Sequence, residues 1–124
     1  MKYEGTKLPN FEPRTEPVEE LEITDTEVGT GAEVQPGATV TVHYTGALVK
    51  NGIIFQSSHD FGKTISFGLD QVIKGWTHGV PRMKIGGTRR PVIPAEMAYG
   101  SSSPASNIPA NSDLVFDIDL IAIA

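Results

Sequence analysis

The 124 residues fall within the usual span of one domain, and 39% hydrophobic content is enough for a single core. The chain has no cysteine, which excludes a disulfide framework, a thiolate metal site and a cysteine nucleophile. The formal charge of −5 argues against nonspecific nucleic-acid binding, which draws its affinity from a net basic surface.

Residues 1–20 carry prolines at 9, 13 and 17 with acidic residues between them, and read as an extended N-terminal arm ahead of a domain spanning 21–124. The opening MKYEGTKLPNFEP has no apolar core of signal-peptide length, and no apolar run approaches the roughly 20 residues that cross a bilayer. The expectation is a soluble, unexported chain in a reducing, cytoplasmic setting, without membrane partners and monomeric.

LEITDTEVG alternates apolar and polar residues and predicts a strand broken by Gly29 and Gly31. QPG at 35–37 is turn chemistry, and TVTVHYTGALV after it predicts a strand with Val40, Val42 and Tyr44 on one face. Asn51-Gly52 suits a two-residue hairpin turn, so IIFQSS is expected to return antiparallel and leave Phe55 and Gln56 at a strand end. ISFGL is a further short strand. DQVIKGWTHGV has near-helical apolar spacing at 72, 73, 76 and 80, with Asp70 as the expected N-cap.

GGTRRPVIP opens with a turn and enters a strand, in which Pro91 predicts an edge or irregular position. Lys84, Arg89 and Arg90 lie close together and read as a solvated face. AEMAYG suits one helical turn. The long loop SSSPASNIPANSD leads into LVFDIDLIAIA, where Leu114, Phe116, Ile118 and Leu120 share a face opposite Val115, Asp117 and Asp119. The pattern predicts an α+β fold, an antiparallel sheet covered by one short helix.

Candidate chemistry is sparse. The stretch FQSSHDF gathers Ser57, Ser58, His59 and Asp60, but a hydrolytic triad is assembled from separate segments, and no G-x-S-x-G elbow surrounds either serine. His43, His59 and His78 lack metal-site spacing, and Asp117 and Asp119 read as a solvent-facing pair rather than a catalytic one. GTGAEVQPG lacks the lysine of a phosphate loop. What stands out is a set of aromatics at element boundaries: Tyr44, Phe55, Trp76, Tyr99 and Phe116.

Four blocks, GTGAEVQPGATVTVHYTG, NGIIFQSS, VIKGWTHGVPRMKIGGTRRPVIPAEMAYG and NIPANSDLVFDIDL, resemble in order and spacing the FKBP-type peptidyl-prolyl cis-trans isomerases. The resemblance runs from about Leu21 to the C-terminus and leaves the arm outside. It implies a curved antiparallel half-barrel wrapped around the short helix, with an apolar pocket for a proline ring. It further implies Trp76 as the pocket floor and Tyr44, Phe55, Phe116, Val72 and Ile73 as walls. Tyr99 and Ile108 would close the rim, and the Ile73 N–H and the Tyr99 hydroxyl would be polar contacts.

Isomerisation about X-Pro needs no nucleophile, cofactor or metal. The implied partners are proline-containing peptides and folding polypeptides, with a proline-segment binding module or weak chaperone as the alternative. Against the commonest family pattern, Gln56 replaces an aspartate, Phe61 a frequent arginine and Ile65 a frequent aromatic, and Pro104 a histidine found in some members. Gln56 and Ile65 are nevertheless expected to touch substrate, and macrolides of the FK506 and rapamycin type are expected to bind with weakened affinity.

Overall fold

In the computed structural model, which describes residues 2–124, the strands are β1 (Glu22–Glu27), β2 (Thr39–Leu48), β3 (Ile54–Ser57), β4 (Ile65–Gly68), β5 (Thr88–Ile93) and β6 (Leu114–Ile123). One helix, α1 (Lys74–Gly79), lies between β4 and β5. All neighbouring strands are antiparallel, in the order β1-β5-β6-β2-β3, and β4 also pairs with β2.

The alternation in β2 and β6 buries Val40, Val42 and Tyr44 on the same side as Leu114, Phe116, Ile118 and Leu120. Against that face packs α1, whose Trp76 is buried. The helix lies close to the sheet because Gly75 has no side chain: a Cβ there would stand 2.5 Å from Ile93 Cδ1. Asp70 does not cap α1. The N-cap position is Ile73, without a side-chain bond, and Asp70 lies in the turn closed by Gln71 N–H donating to Gly68 O. The anchor of this region is instead Thr77, whose hydroxyl donates to Leu69 O at 2.6 Å.

β2 carries two partners on one edge. β3 pairs with Thr45–Ala47 and β4 with Thr39–Val42, so the chain leaves the edge at Ser57 and rejoins it at Ile65. The excursion holds a 3₁₀ turn, Ser58–Phe61. β2 residues His43 and Tyr44 face no strand on that edge, and the buried Ser58 side chain takes the place of one. Its Oγ accepts from Tyr44 N–H at 2.8 Å and donates to Tyr44 O at 3.3 Å.

The Asn-Gly hairpin returns antiparallel as expected, but its loop is longer than two residues. Gly52 N–H donates to Leu48 O and Leu48 N–H to Ile53 O. The β2–β6 pairing runs one residue past the end of β2, where Val49 N–H donates to Asp113 O just ahead of β6.

β5 is not an edge strand: it lies between β1 and β6. Pro91 is tolerated because the β5–β6 ladder pairs Arg89 with Ile118 and Val92 with Val115 and skips the residues between. The Arg90 guanidinium spans that interval to Asp117, Nε to Oδ1 at 2.6 Å. Nor do the arginines form a solvated face. Arg89 is 7% exposed, pairs with Asp25 and donates to Gly79 O and Pro81 O. Arg90 also donates to the carbonyls of Pro9 and Asn10. Each charge is enclosed among acceptors that satisfy it. Lys84 alone of the three is exposed.

Residues 2–20 run over the outer face of the sheet without a helix, turning at Glu4–Gly5 and Pro9–Asn10. Gly5 N–H donates to Ile54 O, Thr6 O accepts from Ile54 N–H and Leu8 N–H donates to Gly52 O, so this segment lines the free side of β3. Leu8 and Val18 are buried with Ala47, Val49, Ile54, Val92 and Val115 in a second apolar cluster. Val115, on the outward face of β6, is therefore covered.

Candidate active site: an uncharged aromatic cavity over the helix

A cavity of about 460 Å³ opens between α1 and the concave face of the sheet. Four strands and the helix deliver side chains to it. β2 brings Tyr44, the end of β3 brings Phe55 and Gln56, β4 brings Phe67 and β6 brings Phe116. The turn before α1 adds Gln71, Val72 and Ile73, α1 adds Trp76, and Tyr99 follows the 3₁₀ turn Ala95–Met97.

The rings hold one another edge to face. Trp76 meets Tyr44 at 5.6 Å and 83°, Phe67 at 5.1 Å and 70°, and Phe116 at 5.4 Å and 90°. Phe55 meets Phe116 at 5.7 Å and 88°. Such pairs contribute about 0.5–1.5 kcal/mol each beyond burial, so the cavity is shaped before anything enters it. Gly46 in β2 makes the corner between two of these rings: a Cβ there would stand 2.5 Å from Phe55 Cζ and 2.7 Å from Phe116 Cε2.

Polar groups are few. The Tyr44 hydroxyl donates to Gln56 Oε1 at 2.7 Å, and Asn107 Nδ2 in the long loop donates to Phe55 O at 2.8 Å. The Ile73 N–H makes no hydrogen bond among the described residues, whereas its carbonyl accepts from Trp76 and Thr77. Burial, reinforced by the nearby Tyr99 phenol, pushes the Tyr44 hydroxyl above its ordinary pKa, so it stays a proton donor at neutral pH.

Of the residues singled out in the sequence, Tyr44, Phe55, Gln56, Val72, Ile73, Trp76, Tyr99 and Phe116 meet at this cavity. Ile65 and Ile108 do not line it. Ile65 pairs with Val42 and packs on the core, and Ile108, within the long loop, is buried in the same core. The aromatic that β4 brings to the cavity is Phe67, two residues beyond Ile65 and on the same face of the strand. The period of ISFG could have revealed it, while nothing in the sequence marked Gln71.

FQSSHDF does not form a hydrolytic centre. Ser58 Oγ lies 2.8 Å from His43 Nδ1, but Ser58 is 0% exposed and holds the Tyr44 backbone. Asp60 accepts from the N–H groups of Tyr3 and Glu4 rather than from an imidazole. His59 stacks on His43 at 4.2 Å, and its N–H donates to Ser57 Oγ. Among the described residues no group of histidines and carboxylates could hold a metal ion.

The sequence model of the FKBP-type peptidyl-prolyl cis-trans isomerases matches residues 31–121. A probable FK506-binding protein of Corynebacterium glutamicum is 46% identical over 104 residues, 84% of this chain and 87% of that protein. A probable FKBP-type isomerase of Haemophilus influenzae is 44% identical over 77% of this chain, which spans only 39% of that protein. A crystal structure of a peptidyl-prolyl cis-trans isomerase from Pseudomonas syringae superposes with a TM-score of 0.76 at 35% identity, covering 89% of this chain and 80% of that one.

Proposed function

The chain belongs to the FKBP-type peptidyl-prolyl cis-trans isomerases, and from that premise we propose that the cavity over Trp76 seats a proline ring while the free Ile73 N–H takes a substrate backbone carbonyl. The observation that carries this reading is the Ile73 N–H, without a partner among the described residues, beside a preformed aromatic cavity. Rotation about the peptide bond meets a barrier of about 18–20 kcal/mol from its double-bond character. The two X-Pro isomers differ by only about 0.5–1 kcal/mol.

The task is therefore to lower a torsional barrier, with no bond broken and no nucleophile used. In the twisted transition state resonance is lost and the amide is less polar, so an aromatic enclosure favours it over the planar ground state. The Ile73 N–H holds one side of the backbone while the other turns. Each tenfold acceleration requires about 1.4 kcal/mol of such differential binding.

A protease-free exchange assay on X-Pro peptides tests this. Catalysis is expected, and Trp76→Leu, which keeps an apolar core residue, should lower kcat/KM at least tenfold. A rate equal to the uncatalysed one, with peptide still bound, would instead support a proline-segment binding module. FK506 is proposed to bind the same cavity with weakened affinity, since Gln56 provides an uncharged amide at the rim. Titration with the macrolide decides this, and ordinary tight binding would contradict it.

A further inference from the structure

We infer that Gln56 sets which side chain this isomerase accepts beside the proline, favouring one that carries a hydrogen-bond acceptor, acidic side chains included. The inference rests on the reading of the cavity as a proline site and names the substrate class it takes. Gln56 is exposed at the end of β3 and lines the cavity that Trp76 floors. Its amide is oriented, because the Tyr44 hydroxyl donates to Oε1 at 2.7 Å. That leaves both Nε2 protons without an acceptor among the described residues.

The surroundings carry no charge to compete. The cavity is lined by no Asp, Glu, Lys, Arg or His. From Met97 to Ser112 the overhanging chain has no charged residue either. The charged residues that adjoin lining residues in sequence, Asp70, Lys74 and Asp117, do not line the cavity, and Asp117 is paired with Arg90. An entering carboxylate or amide oxygen thus meets two oriented donors and no repelling carboxylate. A lysine ammonium meets donors facing donors. Hydrogen bonds to a charged acceptor are about twice as strong as neutral ones, which favours the acidic case.

The test is a protease-free assay on a peptide series with Leu, Glu, Gln or Lys immediately before proline, at low ionic strength so that charge effects are not screened. The native protein should turn over Glu-Pro within about threefold of Leu-Pro, and Lys-Pro about tenfold more slowly. In Gln56→Asp the Glu-to-Leu ratio of kcat/KM should fall about tenfold, since a like charge then faces the substrate carboxylate. In Gln56→Leu it should fall by a smaller factor, and salt should restore the ratio in Gln56→Asp only. A native Glu-to-Leu ratio below about one tenth, or a ratio unmoved in Gln56→Asp, overturns the inference while leaving the proline site standing. If no peptide is turned over or bound, the proline-site reading fails and this inference with it; if peptides bind without turnover, the same ratios are read from their Kd values.

Discussion

The Tyr44 hydroxyl, rising from β2, donates to Gln56 Oε1 at the end of β3 over 2.7 Å and ties the wall of the cavity to its rim. Tyr44→Phe removes that bond and keeps the ring that meets Trp76 edge to face. Stability should fall by about 0.5–1.5 kcal/mol, the usual net worth of one hydrogen bond. KM for X-Pro peptides should rise several-fold as the Gln56 amide loses its orientation. Chemical denaturation and steady-state kinetics measure the two effects, and an unchanged KM would mean that the amide does not meet the substrate.

Gly46 should resist even the smallest enlargement. The Cβ of Gly46→Ala would fall within 2.7 Å of both Phe55 and Phe116, so one ring must leave its rotamer. Overpacking of this kind costs about 1–3 kcal/mol. The expected result is a folded protein with reduced stability and at least tenfold lower kcat/KM, because the displaced rings are cavity walls. Native-like activity in Gly46→Ala would show that the two rings can move without affecting the site.

Ser58→Ala separates scaffolding from chemistry. It strips the Tyr44 N–H of its acceptor in a fully buried place, a loss of about 1–3 kcal/mol. Measured well below the unfolding midpoint, kcat/KM should stay within about threefold of native, since rotation about a peptide bond requires no hydroxyl nucleophile. Abolished turnover in a fully folded Ser58→Ala protein would contradict the mechanism.

Acid should loosen the N-terminal segment from two of its charged anchors, Asp60 and the Arg14–Glu22 pair. Desolvation pulls the Asp60 carboxyl up, but the donated N–H groups of Tyr3 and Glu4 and the charge of Lys2 outweigh it and hold the group below its ordinary pKa. At Glu22 the bidentate bond from Arg14 outweighs desolvation and does the same. A carboxyl depressed in the folded state contributes stability that is present above its unfolded pKa, about 4, and is lost as pH falls through the folded value. Amide resonances of Gly5 and Leu8 should therefore hold steady from neutrality to about pH 5 and shift below about pH 4. Leu8 and Val18 stay buried, so the segment should fray from its first residues rather than detach. Asp60→Asn should produce the same shifts at neutral pH, and resonances unmoved by acid would remove these carboxylates as anchors.

Periodicity was informative wherever a residue's role depends on which face of its own element it occupies. The alternation of β2 and β6 placed Tyr44 and Phe116 on the buried side, and the near-helical run around Trp76 placed the ring that floors the cavity. The family pattern, rather than periodicity, pointed to Ile65, whereas β4 presents Phe67 to the cavity and leaves Ile65 to the core. Charge clustering pointed to a solvated face at Arg89 and Arg90, but their acceptors come from Asp25, Asp117 and the carbonyls of Pro9, Asn10, Gly79 and Pro81.

The order of residues by itself determined the strands, the short helix, the family and eight of the ten side chains expected at the site, since each of these follows from local pattern or from motif spacing. Only the tertiary structure decided what FQSSHDF does. β3 and β4 share one edge of β2 and leave a gap opposite Tyr44, and the Ser58 side chain fills it. It likewise decided that residues 2–20 seal the outer face through Leu8 and Val18. A chain's local periodicity states which face seeks burial, but which neighbour provides it is settled by pairing across long sequence separations, where hydrogen-bond and packing partners first meet.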